Sequence, residues 1–209
     1  MTSNTKITEQ YISEHRSIKE CLKKGLINYS ALARLIAEDL ELPKSKKKEA
    51  LLVAARRYKD KIKIASYDNK ILELFKKSNI EIKNNIVFFT INKNVYPESL
   101  IDIERLIKKR NELFFSIEGT NSITLIFQKN NKELILNKFR NYIFEKNEDL
   151  SLITITVGGI GQVPGAVNYI SGLFFENGIN MEEFISCYDD TIILVKSQDI
   201  EKTMTFLKF

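Results

Sequence analysis

An α+β fold is predicted: an N-terminal helical bundle followed by two βαββαβ units, each an antiparallel sheet with both helices on one face. Three observations point to it. The first third of the chain has no proline before Pro43 and places apolar residues at helical spacing. Residues 150–157 alternate as a strand and enter a stretch, Gly158 to Gly178, that holds six of the chain's eight glycines. The order of elements after residue 150 also occurs upstream, displaced by 67 residues: Pro97 falls on Pro164, Leu100 on Val167, Ile103 on Ile170, Leu106 on Leu173, Thr124 on Thr191 and Ile126 on Ile193. An internal duplication is the best account of such an offset.

The elements follow in order. A first helix is predicted over residues 8–24, with Tyr11, Ile12, Ile18 and Leu22 on one face and Gly25 as its stop. A second starts near Asn28 to Ser30, carries Leu32, Ala33, Leu35, Ile36 and Leu40, and ends before Pro43. A third is started by Ser45 and holds Leu51, Leu52, Ala55, Tyr58 and Ile62 on its apolar side. Residues 1–65 are therefore read as a helical domain. Residues 66–85 form a connector with a fourth helix over 69–77, whose Ile71, Leu72, Leu74 and Phe75 predict that it docks rather than swings free.

The first copy of the repeat, residues 86–147, is read as a strand at 86–91, a helix from Pro97, strands at 113–117 and 123–127, and a helix at 131–139. The second, residues 148–209, has its helix from Pro164, which suits a first turn, ending at Gly178. Strands at 179–187 and 191–196 are joined by a turn at Asp189 and Asp190, and a last helix starts near Gln198. No residues then remain for a closing strand. It is expected from elsewhere, from residues 80–83 in preference to 141–145, because an unpaired sheet edge is a liability.

Two short patterns carry a family resemblance: Val163-Pro164-Gly165-Ala166 at the end of the glycine-rich turn, and Gly178-Ile179-Asn180-Met181 after the helix. The unit resembles the ACT domain, a ferredoxin-like amino-acid-sensing module, and is closest to the regulatory region of aspartate kinases. The resemblance implies a free amino acid bound at the seam between two such domains, with Gly161, Gln162, Val163, Gly165, Ala166, Asn180 and Met181 as its contacts. Glycine suits the task, since main-chain N–H groups at a helix start meet a charged ligand only where no β-carbon blocks the approach. The first copy has Asn92 to Val95 and Glu98 around Tyr96-Pro97 instead, so the second is the expected donor of a binding loop.

Charge separates the two ends of the chain. Residues 1–65 hold 15 Lys+Arg against 8 Asp+Glu, and the remainder 17 against 19. Lys46, Lys47, Lys48, Arg56, Arg57 and Lys59 lie on or before the third helix and form a candidate DNA-contacting surface. Residues 28–36 are similar to the first helix of helix-turn-helix domains. No catalytic constellation is visible: His15 is the single histidine, no GKS or GKT follows the glycines, and the kinase domain of aspartate kinases has no counterpart. Cys21 and Cys187 show no metal-ligand spacing, so neither metal nor cofactor is expected, and both thiols are read as reduced. No apolar run approaches the 18 or so residues of a membrane span, and a cytoplasmic location is the default. The expected function is an amino-acid-responsive, dimeric regulator of transcription; the alternative is a stand-alone regulatory or scaffold subunit of an aspartate-kinase-like biosynthetic enzyme. The two units are expected to pack side by side and the chain to be at least a dimer, because a four-stranded sheet with one helical face leaves edges and an open face, unless the pair is satisfied within one chain.

Overall fold

The computed structural model describes residues 3–43, 48–62, 68–95 and 97–209. Lys44, Ser45, Lys46, Lys47, Lys63 and Tyr96 lie outside them. The chain divides into a helical unit, Met1–Ser66, and a sheet unit, Tyr67–Phe209.

The helical unit contains α1 (Asn4–Glu14), α2 (Arg16–Lys24), α3 (Tyr29–Asp39) and α4 (Lys48–Lys61). The single helix predicted over 8–24 is broken at His15, whose extended backbone caps α1 and opens α2. His15 Nδ1 lies 2.7 Å from the Tyr11 carbonyl and the two rings stack at 4.1 Å, so local partners hold the break. Two predicted boundaries hold, since Asn28 accepts from Ala31 N–H at 3.0 Å to cap α3 and Gly25 ends α2 in the left-handed region, while the start expected at Ser45 lies outside the described residues. Ile12, Leu22, Ile36 and Leu51 are fully buried together, each worth about 1.5–3 kcal/mol of transfer free energy. Leu35 and Leu40, expected on the apolar face of α3, are exposed. Tyr11 donates to the Asp39 carboxylate; burial first, then that carboxylate, pushes its phenol up to about 12.

The sheet unit runs α5 (Asp68–Phe75), β1 (Asn79–Asn92), α6 (Pro97–Lys108), β2 (Phe114–Glu118), β3 (Ser122–Gln128), α7 (Lys132–Phe139), β4 (Ile143–Thr156), α8 (Ala166–Glu176), β5 (Glu183–Cys187), β6 (Asp190–Lys196) and α9 (Ile200–Phe206). Its strands pair antiparallel in the order β2-β3-β1-β4-β6-β5. β1 and β4 are each 14 residues long and serve both halves of the sheet. The stretch from Asn79 to Lys83 pairs with Thr156 to Leu152 and supplies the strand that the second half lacks. Reciprocally, Ile143 and Glu145 to Asn147 pair with Ile91 and Thr90 to Phe88 and close the first half. The pairing therefore uses both candidate segments, one for each half. Asn85 and Asp149, both at positive φ, sit where the two long strands change from one half to the other, and the register is irregular there.

Alternation along each strand sorts the side chains into two faces. Val87, Phe89 and Ile91 face α6 and α7, with Ile103, Ile107, Ile135 and Phe139 buried against them. Ile153 and Ile155, with Ile193 and Val195, face α8 and α9. Each half thus keeps both helices on one face. The opposite faces share one cluster: Ile86, Phe88 and Ile126 from the first half, Leu150, Leu152, Ile192 and Leu194 from the second. These residues are at most 5% exposed although, among the described residues, no helix joins their cluster, so the two half-sheets cover each other. The open face that predicts a dimer is therefore satisfied within one chain.

Several local expectations are corrected. The 67-residue offset holds in the helices, where Ile103 and Ile170 both face the sheet. It becomes 68 in the following strands, where the helix-facing residues are Ile123, Leu125 and Phe127 against Thr191, Ile193 and Val195. Matching Ile126 to Ile193 crosses faces, because a one-residue slip in a strand inverts every side chain. Pro164 precedes α8 rather than opening it. Ile179 to Met181 form a loop before β5, and the hairpin turn is Tyr188-Asp189, with Asp190 already in β6.

Candidate functional site

The glycine-rich turn leaves β4 at Val157 and is held by the β5–β6 hairpin. Val157 N–H donates to the Asp189 carbonyl at 2.8 Å and Gly159 N–H to Asp189 Oδ1 at 3.1 Å, while Thr156 Oγ1 donates to Asp190 Oδ1 at 2.6 Å. Ile160 is buried as the anchor of a short 3₁₀ turn over Ile160–Gln162. The chain then reaches Gly165, which caps α8 at φ +91°, a conformation that strains any L side chain. A β-carbon there would lie 3.4 Å from Ile71 Cδ1 of α5.

Of the residues carried over from the resemblance, Gly161, Gln162 and Gly165 are exposed, Val163 is half-buried and Ala166 is buried under α8. Asn180 is exposed and donates to Glu182 Oε1 at 3.1 Å; Met181 is half-buried against the same core as Val163. These two groups are not adjacent in one chain. They flank opposite ends of α8, whose 11 residues span about 16 Å. A single small ligand reaches both sets only when a second copy brings its loop 179–181 to the first copy's turn.

Sequence reasoning missed two contributors. Asp189 reads in the sequence only as a turn residue, yet it fixes the glycine turn by backbone and side chain. Helix α5 is expected to dock somewhere; it docks here, with Ile71 and Phe75 buried in the core beneath α8 and Phe75 stacked on Tyr169 at 5.5 Å and Phe209 at 4.8 Å. Its polar side and the turn enclose a cleft of about 300 Å³ lined by Lys70, Glu73, Leu74, Lys77, Val157 and Gly158.

In the helical unit, Lys48, Arg56 and Arg57 are exposed on α4, and Arg56 lies over the Tyr29 ring at 5.3 Å. Lys59 is half-buried, and its Nζ is 3.6 Å from where a β-carbon on Gly25 would sit, at the C-terminal end of α2. Lys46 and Lys47 lie outside the described residues. An apolar groove of about 510 Å³ runs between α2 and α3, bordered by Ile18, Leu26, Leu35, Arg34 and Glu38. Among the described residues no cluster of three or more His, Cys, Asp or Glu could hold a metal ion, and no helix is long and apolar enough to cross a membrane.

Residues 145–208 match the family profile described as ACT domain. Among solved structures, the chain is similar to aspartate kinase from Clostridium acetobutylicum, at 17% identity and a TM-score of 0.52, over 62% of this chain and 33% of that one. The regulatory subunit of aspartate kinase from Thermus flavus matches at 10% identity and a TM-score of 0.50, over 61% of this chain and 94% of that one. A structure of aspartokinase alpha and beta subunits matches at 12% and 0.50, over 62% and 94%. At these identities the likeness is one of fold. No curated protein matches the chain in sequence.

Proposed function

We propose that the protein is an amino-acid-sensing regulatory protein that acts as a stand-alone subunit on a partner enzyme of the aspartate-kinase type. The carrying observation is the second half of the sheet unit. An ACT-domain match covers it, and its glycine turn ends in a left-handed Gly165 at the start of α8, which leaves main-chain donors at a helix N-terminus for a charged ligand. In this reading Gly161, Gln162, Val163, Gly165 and Ala166 of one copy and Asn180 and Met181 of another hold the ligand, so the working form is at least a dimer. The first half, with no glycine in its turn, acts as a support. The helical unit supplies the docking surface, where Leu26, 75% exposed beside the apolar groove, is the kind of residue a partner covers. A thermal-shift screen of the twenty amino acids tests the sensing step: a specific ligand at a hundred times its dissociation constant adds about 2.7 kcal/mol. No shift with any of them refutes it.

A second reading, a transcriptional regulator, is favoured by one observation: Arg56 and Arg57, adjacent on α4, are both exposed. Its test is a salt-dependent shift of duplex DNA that is abolished by Arg56→Glu with Arg57→Glu while the circular-dichroism spectrum stays native. Absence of any shift at low salt removes this reading and leaves the first.

A further inference from the structure

The interlocking of β1 with the second half places a polar helix over the glycine turn. Asn79 is paired with Thr156 in an antiparallel register. Two residues beyond that last pair lie Lys77, in the turn after α5 with its N–H on the Leu74 carbonyl, and Gly158. The lysine follows α5, and the glycine opens the turn. Burial of Ile71 and Phe75 fixes which way the helix is rotated, since those two residues take the inner side and leave Lys70, Glu73, Leu74 and Lys77 along one outer side at helical spacing. The same four residues line the cleft of about 300 Å³, with Val157 and Gly158 as its other wall. Gly158 has open space where a β-carbon would project, and among the described residues no protein group accepts from its N–H.

The cleft therefore combines two lysines, of which Lys77 stands nearer the turn in sequence, with a main-chain donor, a carboxylate and two apolar side chains. That is the complement of a zwitterion with an aliphatic body. We propose that it is a second effector site, formed within one chain: Lys77 and Gly158 N–H receive the α-carboxylate of a free amino acid, Glu73 its α-ammonium group, and Leu74 and Val157 its side chain. It differs from the seam site in needing no second copy and none of Gln162, Asn180 or Met181. It rests on the reading that the protein senses amino acids. Because α5 directly precedes β1 and also packs against Gly165, a ligand here adds contacts to a helix that the core already holds.

The test is calorimetric titration of the full chain with each of the twenty free L-amino acids, on the unaltered protein, on Lys77→Glu and Lys77→Ala, and on Asn180→Ala. The site predicts at least one amino acid whose affinity falls about tenfold or more in both Lys77 variants, the loss expected for a hydrogen bond to a charged group. The same affinity stays within twofold in Asn180→Ala. Circular dichroism checks the fold, which both Lys77 variants should keep because Lys77 is exposed and outside the core. Binding that survives both Lys77 changes but is lost in Asn180→Ala overturns the cleft and leaves the seam reading intact. If none of the twenty binds the unaltered protein, both fall.

Discussion

The two halves of the sheet unit solve the same problem, tying the turn after their first strand to the hairpin between their second and third, with opposite chemistry. In the first half a side chain does it: Lys93 donates to the Gly119 carbonyl at 3.0 Å and pairs with Glu118 at 2.6 Å, while Val95 folds into the core. In the second half the turn offers its backbone instead, Gly159 N–H to the Asp189 carboxylate. Both turns bury one apolar residue, Val95 in the first and Ile160 in the second, so what separates them is the fastening: the first lays the Lys93 side chain across its surface. The second, fastened by main chain, with glycine at Gly158, Gly161 and Gly165, keeps donors and space at its surface. The halves also differ in what covers them, since α5 packs only on the second. The two halves thus differ in a few turn residues rather than in the sheet.

This contrast can be broken at several points. The largest effect is expected for Phe75→Ala, which empties the stacked position between Tyr169 and Phe209 and should cost about 3–5 kcal/mol in urea unfolding. Hydrogen exchange should show the loss first in Leu152 to Ile155; equal loss in Val87 to Ile91 would mean the halves open together and are not distinct in stability. Next is Gly165→Ala, which forces an L residue into φ +91° and should cost about 1–2 kcal/mol, a penalty that no described residue of the Lys93 turn carries. An unchanged urea midpoint would show that the turn relaxes freely.

A smaller, pH-dependent effect comes from Glu183 of the second half, held above the usual carboxylate range by burial and then by Glu145 of the first half. A raised pKa in the folded state favours the neutral form, so its contribution is fully present below about 4.5 and is lost as pH rises. Glu183→Gln should therefore stabilise at pH 7, by about 0.5 kcal/mol at most because solvent screens this partly exposed group, and lose its advantage near pH 4. A constant difference across that range would show that Glu145 and Glu183 do not repel each other in the folded protein. A similarly small effect is expected for Lys93→Ala, whose ion pair is largely exposed: at most about 1 kcal/mol, shrinking with added salt. A cost above about 2 kcal/mol would make this turn as structurally demanding as the glycine turn.

Local rules made much of this legible. Asn28, Gly25 and Gly178 mark helix ends because a cap depends on a few neighbouring residues, and the alternation of Ile80, Glu81, Ile82 and Lys83 exposed a strand that lacked a partner. Glycine content alone separated the two turns. What the sequence determined by itself was therefore the periodic and the local: helix and strand identity, the repeat, the basic first third, and which turn is rich in glycine. Tertiary structure alone decided the rest. The break at His15, the one-residue change of offset between helix and strand, the folding of the two bare faces onto each other and the seat of α5 on the glycine turn all depend on contacts that periodicity does not encode. Periodicity says that a face is apolar; only packing decides which other face covers it.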